Sequence, residues 1–299
     1  MPVLDLDTPG AGERADAVVA RVTRALTEAG VETPAIDARR LVEAAAGLSA
    51  AALIARPDAL VSLSALRRLE EMVRRRCARE PVSRILGQRE FYGRNFAITP
   101  AVLDPRPDSE TLTTAALELA DENGWRERPI RILDVGTGSG CLLVTLLCEL
   151  PLAVGTAGDI NAEALAVAAD NARRHGVMSR MHVALTDGLS GIDGRYDLLI
   201  CNLPYIPSGD IQHLSPEVRD HDPQAALDGG ADGMAVYRAV VADLPRVVPH
   251  GFALFELGAG QADAVAQLLN ESLPACGREL RFWRDLGAHI RCVAVEIQL

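Results

Sequence analysis

The tetrapeptide Asn202-Leu203-Pro204-Tyr205 closes the apolar run Tyr196–Cys201, which reads as a buried strand. An amide or amine nitrogen that attacks a carbon needs its N–H donors held by acceptors while its lone pair faces the electrophile. The Asn202 side-chain oxygen and the Leu203 main-chain carbonyl supply two such acceptors, and Tyr205 offers a ring for a flat group to pack on. Such a site works by positioning. The plain alternative is a strand-ending turn, since Asn and Pro are common there.

A second constellation, Asp134-Val135-Gly136-Thr137-Gly138-Ser139-Gly140, follows another apolar run and opens a helix rich in Leu and Val. Glycines let a ligand approach the backbone, and a helix N-terminus offers unpaired N–H groups at its positive end. The spacing G-x-G-x-G is one residue short of the dinucleotide pattern. Asp159 ends the next strand, 23 residues after Gly136. An acid there accepts from both hydroxyls of a ribose, as nicotinamide and S-adenosylmethionine sites both require. Asp134 separates the two, because a carboxylate suits a cationic amino acid end and repels a pyrophosphate. Asp187, after a third strand, is placed to reach an adenine edge, or else is a turn residue.

These residues need a scaffold that brings strand ends together. From residue 130, apolar runs alternate with helix-length segments: Ile130–Val135, Ala153–Asp159, Met181–Leu185, Tyr196–Cys201, Gly251–Leu257 and Arg291–Ile297. That order predicts a doubly wound, mostly parallel α/β sheet whose far edge, after Gly251, is partly antiparallel. The carboxyl ends of its strands face one ligand crevice. The irregular stretch Ile206–Gly230 is long for an internal loop and suits a lid.

Upstream, Val18, Val22, Leu26 and Ala29 form one helical stripe. Thr33 and Pro34 read as an N-cap and first helical residue, with Ile36, Leu41, Ala44 and Ala45 inward and Gly47 as a stop. Ser64 opens a further helix lined by Leu66, Leu69, Val73 and Cys77 and ended by Pro81. Residues 1–85 are therefore expected to form a small helical bundle, 86–104 a linking β-hairpin and 105–299 the α/β domain. The hairpin carries Phe91, Tyr92 and Phe96, which make either a hinge core or a pocket wall.

At 299 residues the chain is about twice the ~150-residue domain prior, and 48% hydrophobic with 24% charged residues excludes a disordered or collagen-like protein. The net charge of −11 is unevenly shared: +2 through residue 106 and −13 beyond it. An acidic second half repels phosphates, so direct DNA binding is not expected. Nine arginines between Arg67 and Arg94 read as a solvated helix face, with a docking face as the alternative. Six scattered cysteines without a C-x-x-C, and six histidines without ligand spacing, point to no metal. No apolar stretch reaches the ~18 residues of a membrane span. Met1–Gly10 lacks the basic and apolar regions of a secretory signal, so the expected compartment is the cytoplasm.

Taken together, Asp134–Gly140, Asp159, Asp187 and Asn202–Tyr205 resemble a class I S-adenosylmethionine-dependent methyltransferase. More narrowly, the chain is similar to the HemK/PrmC-type protein-(glutamine-N5) methyltransferases that modify peptide chain release factors. The resemblance spans nearly the whole chain. Its most specific parts are Pro105-Arg-Pro-Asp-Ser-Glu110 and the stretch from Pro216 to Gly233. It implies a Rossmann-like methyltransferase sheet, S-adenosylmethionine as cofactor, and methyl transfer to the glutamine side chain of a Gly-Gly-Gln motif. In the family the Asn of N-P-P-Y, carried onto Asn202, and the next carbonyl hold the amide nitrogen. The implied catalytic set is Asn202, Leu203, Pro204 and Tyr205. The implied cofactor set is Asp134, Gly136, Thr137, Gly138, Gly140, Asp159, Asp187 and Asn202, and the substrate set is Phe91, Arg106, Glu110, Asn202 and Tyr205. Leu203 stands where the family has proline; the carbonyl survives, but the fixed φ is lost. Three rival classes remain open: a nucleic-acid amino-methyltransferase that flips a base, a paralogue that binds the cofactor with weakened or no turnover, and an NAD oxidoreductase, which Asp134 disfavours.

Overall fold

The computed structural model describes residues 12–273 and 280–298, so Met1–Gly10 and Cys276 lie outside the described residues. The chain divides into two compact units, one through Gly87 and one from Gln88.

The first unit runs β1 (Glu13–Arg14), α1 (Ala15–Glu28), α2 (Pro34–Ala46), α3 (Ala50–Ala55), β2 (Leu60–Val61), α4 (Leu63–Cys77) and α5 (Val82–Leu86). Val18, Val22 and Leu26 of α1 share a core with Leu41 and Val42 of α2 and Leu66, Leu69 and Val73 of α4. Two details of the expected register differ. Ile36 is 57% exposed and Ala44 faces out, because Ala38, Leu41, Val42 and Ala45 choose the buried stripe of α2 and bring Asp37 inward with them. Asp37 is tolerated there because the Arg76 Nε donates to its Oδ2 at 2.7 Å. The N-cap of α4 is Ser62, not Ser64: the Ser62 Oγ accepts from the Ala65 N–H at 3.3 Å. Pro81 does not end that helix but opens α5. Most of the arginine run is spent within its own unit. Arg68 and Arg79 donate to the Ala45 and Gly30 carbonyls, while Arg74, Arg75 and Arg76 pair with Glu71, Glu80 and Asp37.

The second unit opens with β3 (Gln88–Phe91), β4 (Arg94–Ala97) and α6 (Glu110–Glu122). It continues through β5 (Arg131–Val135), α7 (Cys141–Glu149), β6 (Val154–Asp159), α8 (Ala162–Arg174), β7 (Met181–Leu185) and β8 (Leu198–Cys201). It closes with α9 (Pro216–Arg219), α10 (Ala235–Val247), β9 (His250–Glu256), α11 (Ala262–Ser272), β10 (Arg281–Arg284) and β11 (Ile290–Gln298). Seven strands form one sheet in the order β10-β11-β9-β8-β5-β6-β7. The pairs from β9 through β7 are parallel, and β11 runs antiparallel to both β9 and β10. The strand order reverses at β5, whose neighbours are β6 and β8, and a crevice opens at such a reversal.

Strand alternation splits the core into two layers. Leu198 and Ile200 of β8 face the layer that holds Leu112, Leu143 and Ala168 of α6, α7 and α8. Leu199 and Cys201 face the layer with Tyr237 of α10 and Leu269 of α11. Covering both faces makes the strands near-continuous apolar runs.

The hairpin β3–β4, expected as a linker, packs into the core of the second unit. Phe91 and Phe96 are buried there, ring edge to face with centroids 6.2 Å apart. Neither a hinge core nor a cavity wall, the two buried rings belong to the core layer of the second unit. Asn171 of α8 stitches it down: its Oδ1 accepts from the Ala97 N–H at 2.8 Å, and its Nδ2 donates to the Ser139 carbonyl at 2.8 Å. Among the described residues, no helix is long and apolar enough to cross a membrane.

Candidate functional site

The chain leaves β5 and enters α7 within the five residues 136–140, and Gly136, Gly138 and Gly140 all take positive φ to do so. The N–H groups of Gly136 and Thr137 donate to the Gly158 carbonyl at 2.9 Å, which ties the loop to β6. A Cβ on Gly140 would lie 3.0 Å from that of Ala168, so glycine there lets α8 approach. Gly138 has open space where a Cβ would be.

Asp134 lies beneath this loop. Its Oδ2 accepts from the Thr137 hydroxyl at 2.7 Å, and its Oδ1 has no hydrogen-bond partner. Burial pushes its carboxyl up to about 7, against the pull of Thr137. Asp134 is fully buried and forms no part of the cavity wall, so its charge reaches a ligand through the loop and not across open space.

A cavity of about 270 Å³ lies over the glycines, at the carboxyl ends of β5, β6 and β8. Gly136, Thr137, Gly138, Asp159, Asp187, Asn202, Leu203, Pro204 and Arg106 all line it; Gly140 does not. The Asp159 oxygens accept from the N–H groups of Gly138 and Asn161, each at 2.9 Å, which aims the carboxylate while leaving it further acceptor sites. The site fits S-adenosylmethionine. An unpartnered buried oxygen sits under the loop, open space lies above Gly138, and an acid ends β6.

Asn202 follows β8. Its Nδ2 donates to the Ser109 Oγ at 3.1 Å, which leaves Oδ1 as the atom it can offer to a ligand. Leu203 is buried and contributes to both the cavity wall and the core layer of α10. Tyr205 is not a wall residue: its carbonyl accepts from the Gln261 Nε2 at 2.9 Å, and burial pushes its phenol up to about 12. The glycine-rich stretch before α10 packs on this segment. A Cβ on Gly233 would lie 2.3 Å from the Tyr205 carbonyl oxygen, so only glycine lets the two strands of chain meet.

The loop 206–230 forms a wall of the cavity through Pro223, Ala225 and Ala226. Its ends are clipped together by the Gly229 N–H on the Ile206 carbonyl at 2.8 Å and the Ser208 N–H on the Gly230 carbonyl at 2.9 Å. Arg106, also a cavity residue, pairs with Asp222 of this loop. Phe91 and Glu110, expected at the substrate, are not cavity residues. Phe91 is core, because two aromatic rings on so short a hairpin can be buried only against the sheet layer. The Glu110 Oε1 accepts from the Tyr92 N–H at 2.9 Å and braces the hairpin turn.

Ser109, Asp222 and Glu256 join the site without standing out among the expected residues. Ser109 sits inside the specific segment 105–110. Glu256 had a signal of its own, a carboxylate at the end of an otherwise apolar run.

Residues 17–87 match the PrmC N-terminal domain family, and residues 116–215 match the methyltransferase small domain family. A release factor glutamine methyltransferase from Rhodospirillum rubrum is 44% identical over 90% of this chain and 80% of its own length. Another, from Bradyrhizobium diazoefficiens, is 41% identical over 87% of this chain and 88% of its own. In structure, the catalytic domain of hMettl16, solved with a MAT2A 3'UTR hairpin, superposes with a TM-score of 0.56 at 14% identity over 79% of this chain and 82% of that one, a likeness of fold alone. Glycine loop, strand-end acids and Asn202 thus stand on a methyltransferase sheet in a chain 44% identical to such a relative over 269 residues: it belongs to the release factor glutamine methyltransferase family.

Proposed function

We propose that this chain transfers a methyl group from S-adenosylmethionine to the side-chain amide nitrogen of the glutamine in the Gly-Gly-Gln motif of a peptide chain release factor, in the cytoplasm. The observation that carries the reading is Asn202 at the cavity wall with its Nδ2 committed to Ser109. When bound, S-adenosylmethionine supplies an electrophilic methyl on a sulfonium.

The work of the protein is orientation. An amide nitrogen is a poor nucleophile because its lone pair is delocalised into the carbonyl. Asn202 Oδ1 and the Leu203 carbonyl accept its two N–H bonds, which fixes the nitrogen and turns its π lone pair toward the methyl. Asp159 takes the ribose hydroxyls and Asp187 the adenine edge. Asp134, beneath Gly136–Gly138, sets a negative potential under the cationic end of the cofactor. Tyr205 packs behind this segment, and Arg106 holds the loop 206–230 through Asp222. The acceptor is a protein; the acidic second half gives DNA no electrostatic purchase.

The test is transfer of labelled methyl to purified release factors. Native protein should label the Gly-Gly-Gln glutamine, and Asn202→Ala should lose about 10²- to 10³-fold in rate, the scale of losing one oriented polar contact at the reacting group. Label appearing on oligonucleotides instead, or undiminished transfer by Asn202→Ala, overturns the reading.

A further inference from the structure

Glu256 ends β9 and has no part in the chemistry above. Phe255 pairs with Cys201 in parallel register, so Glu256 and Asn202 leave their strands side by side on the same face of the sheet. Glu256 is 2% exposed, and its Oε2 has no hydrogen-bond partner. Ser109, also buried, stands beside both residues and accepts the Asn202 Nδ2. Burying a carboxylate with one oxygen unpartnered is costly, and an apolar residue would fill this place more cheaply.

A carboxamide is nearly symmetrical in shape, and turning it over exchanges acceptor for donor. The Ser109 hydroxyl cannot choose between the two orientations, because it can give or take a hydrogen bond. An ionised carboxylate only accepts. Beside one, Ser109 turns its proton to the carboxylate and presents its lone pairs to Asn202, which must then answer with Nδ2. We propose that Glu256 is a positioning residue for methyl transfer: acting through Ser109, it holds the Asn202 carboxamide in the orientation that leaves Oδ1 for the substrate amide. The inference rests on the role given to Asn202 above.

The surroundings leave Glu256 free for this task. Arg291 of β11, the cation facing it, gives its Nε to Asp285 at 2.9 Å and its Nη2 to Asp108 at 2.8 Å. The other titratable groups facing it are Asp108 before α6, Cys141 of α7, Cys201 of β8, Tyr205, Tyr237 of α10 and Cys292 of β11. Burial pushes the Glu256 carboxyl up to about 7, and the Ser109 hydroxyl, the Arg291 charge and the Asn202 amide pull it back toward the charged form. Protonated, it becomes a donor, and Ser109 loses its bias. Turnover therefore falls as pH drops through about 7.

Kinetics on the full chain with S-adenosylmethionine and release factor decide the matter. Glu256→Gln, which keeps shape but is as ambidextrous as the hydroxyl, should lower kcat about 10- to 100-fold at saturation, the usual toll of removing a group that orients a ligand-binding residue. KM for both substrates should stay within about threefold, and the acid limb of kcat near pH 7 should vanish. Ser109→Ala should cost a similar factor, and the double variant no more than either single one, since both act through one chain of contacts. Native kcat and acid limb in Glu256→Gln, beside an inactive Asn202→Ala, sink the proposal and leave the role of Asn202 standing. Full activity in Asn202→Ala sinks both. A Glu256→Gln protein that only melts earlier or binds cofactor more weakly, with kcat and pH profile unchanged, marks Glu256 as a structural brace and also overturns it.

Discussion

In the proposed reaction Leu203 serves twice: its carbonyl accepts from the substrate amide, and its side chain is buried in the layer beneath α10. A proline in its place keeps the carbonyl, fixes φ and gives up leucine contacts. Leu203→Pro is expected to transfer methyl at an equal or greater rate while unfolding at lower stability, by about 1–2 kcal/mol for the lost burial. Steady-state kinetics and urea unfolding on the same preparation check both halves. A slower enzyme of unchanged stability contradicts the account. Asn202 shows the same economy, since Ser109 takes the donor end of its amide and the acceptor end is what remains to act.

At the scale of elements, α2 and α4 are joined through a charge pair where sequence periodicity suggested only apolar contact. Asp37 and Arg76 are both buried, with Arg76 Nε and Asp37 Oδ2 2.7 Å apart. Deleting one partner strands the other charge in the core. Asp37→Ala should therefore cost about 3–5 kcal/mol in equilibrium unfolding, and Asp37→Leu with Arg76→Leu should recover most of that loss. A cost below about 1 kcal/mol for the single change, the range of solvent-exposed pairs, would show that water reaches this one. In the second unit the comparable device is neutral: Asn171 ties α8 to the hairpin and to the glycine loop by hydrogen bonds alone.

For the molecule as a whole, two buried carboxyls set the response to pH. Asp134 and Glu256 are each pushed up to about 7 by burial, whereas unfolded carboxyls titrate near ~4. Between those limits the folded chain keeps protons that the unfolded chain has lost. Stability therefore declines as pH rises from about 4 to about 7 and levels off above it. Surface carboxylates held low by arginines, such as Asp232 at about 2 beside Arg238, act with the opposite sign and in a more acid window. Thermal unfolding of the cofactor-free protein should show Tm falling between pH 5 and 7.5, a range that brackets the upper end of this window. Asp134→Asn should flatten that slope by roughly half, since it removes one of the two groups responsible. A Tm that rises across the range contradicts the assignment.

Much of this arrangement was legible in the residues alone because it is local. Apolar runs and their turns placed β5, β6, β7 and β8 to within two residues, and the alternation with helices implied a parallel sheet whose strand ends carry Asp134, Asp159 and Asn202. Glycine spacing announced the loop because positive φ is a property of one residue at a time. Burial is not local. Only packing decided that Ile36 faces water while Asp37 does not, that Phe91 belongs to a core and not to a cavity wall, and that Asp134 lies under the loop. It likewise brought Ser109, Asn202 and Glu256 together from three distant stretches of chain, since solvent is excluded by neighbours that periodicity within one segment does not name.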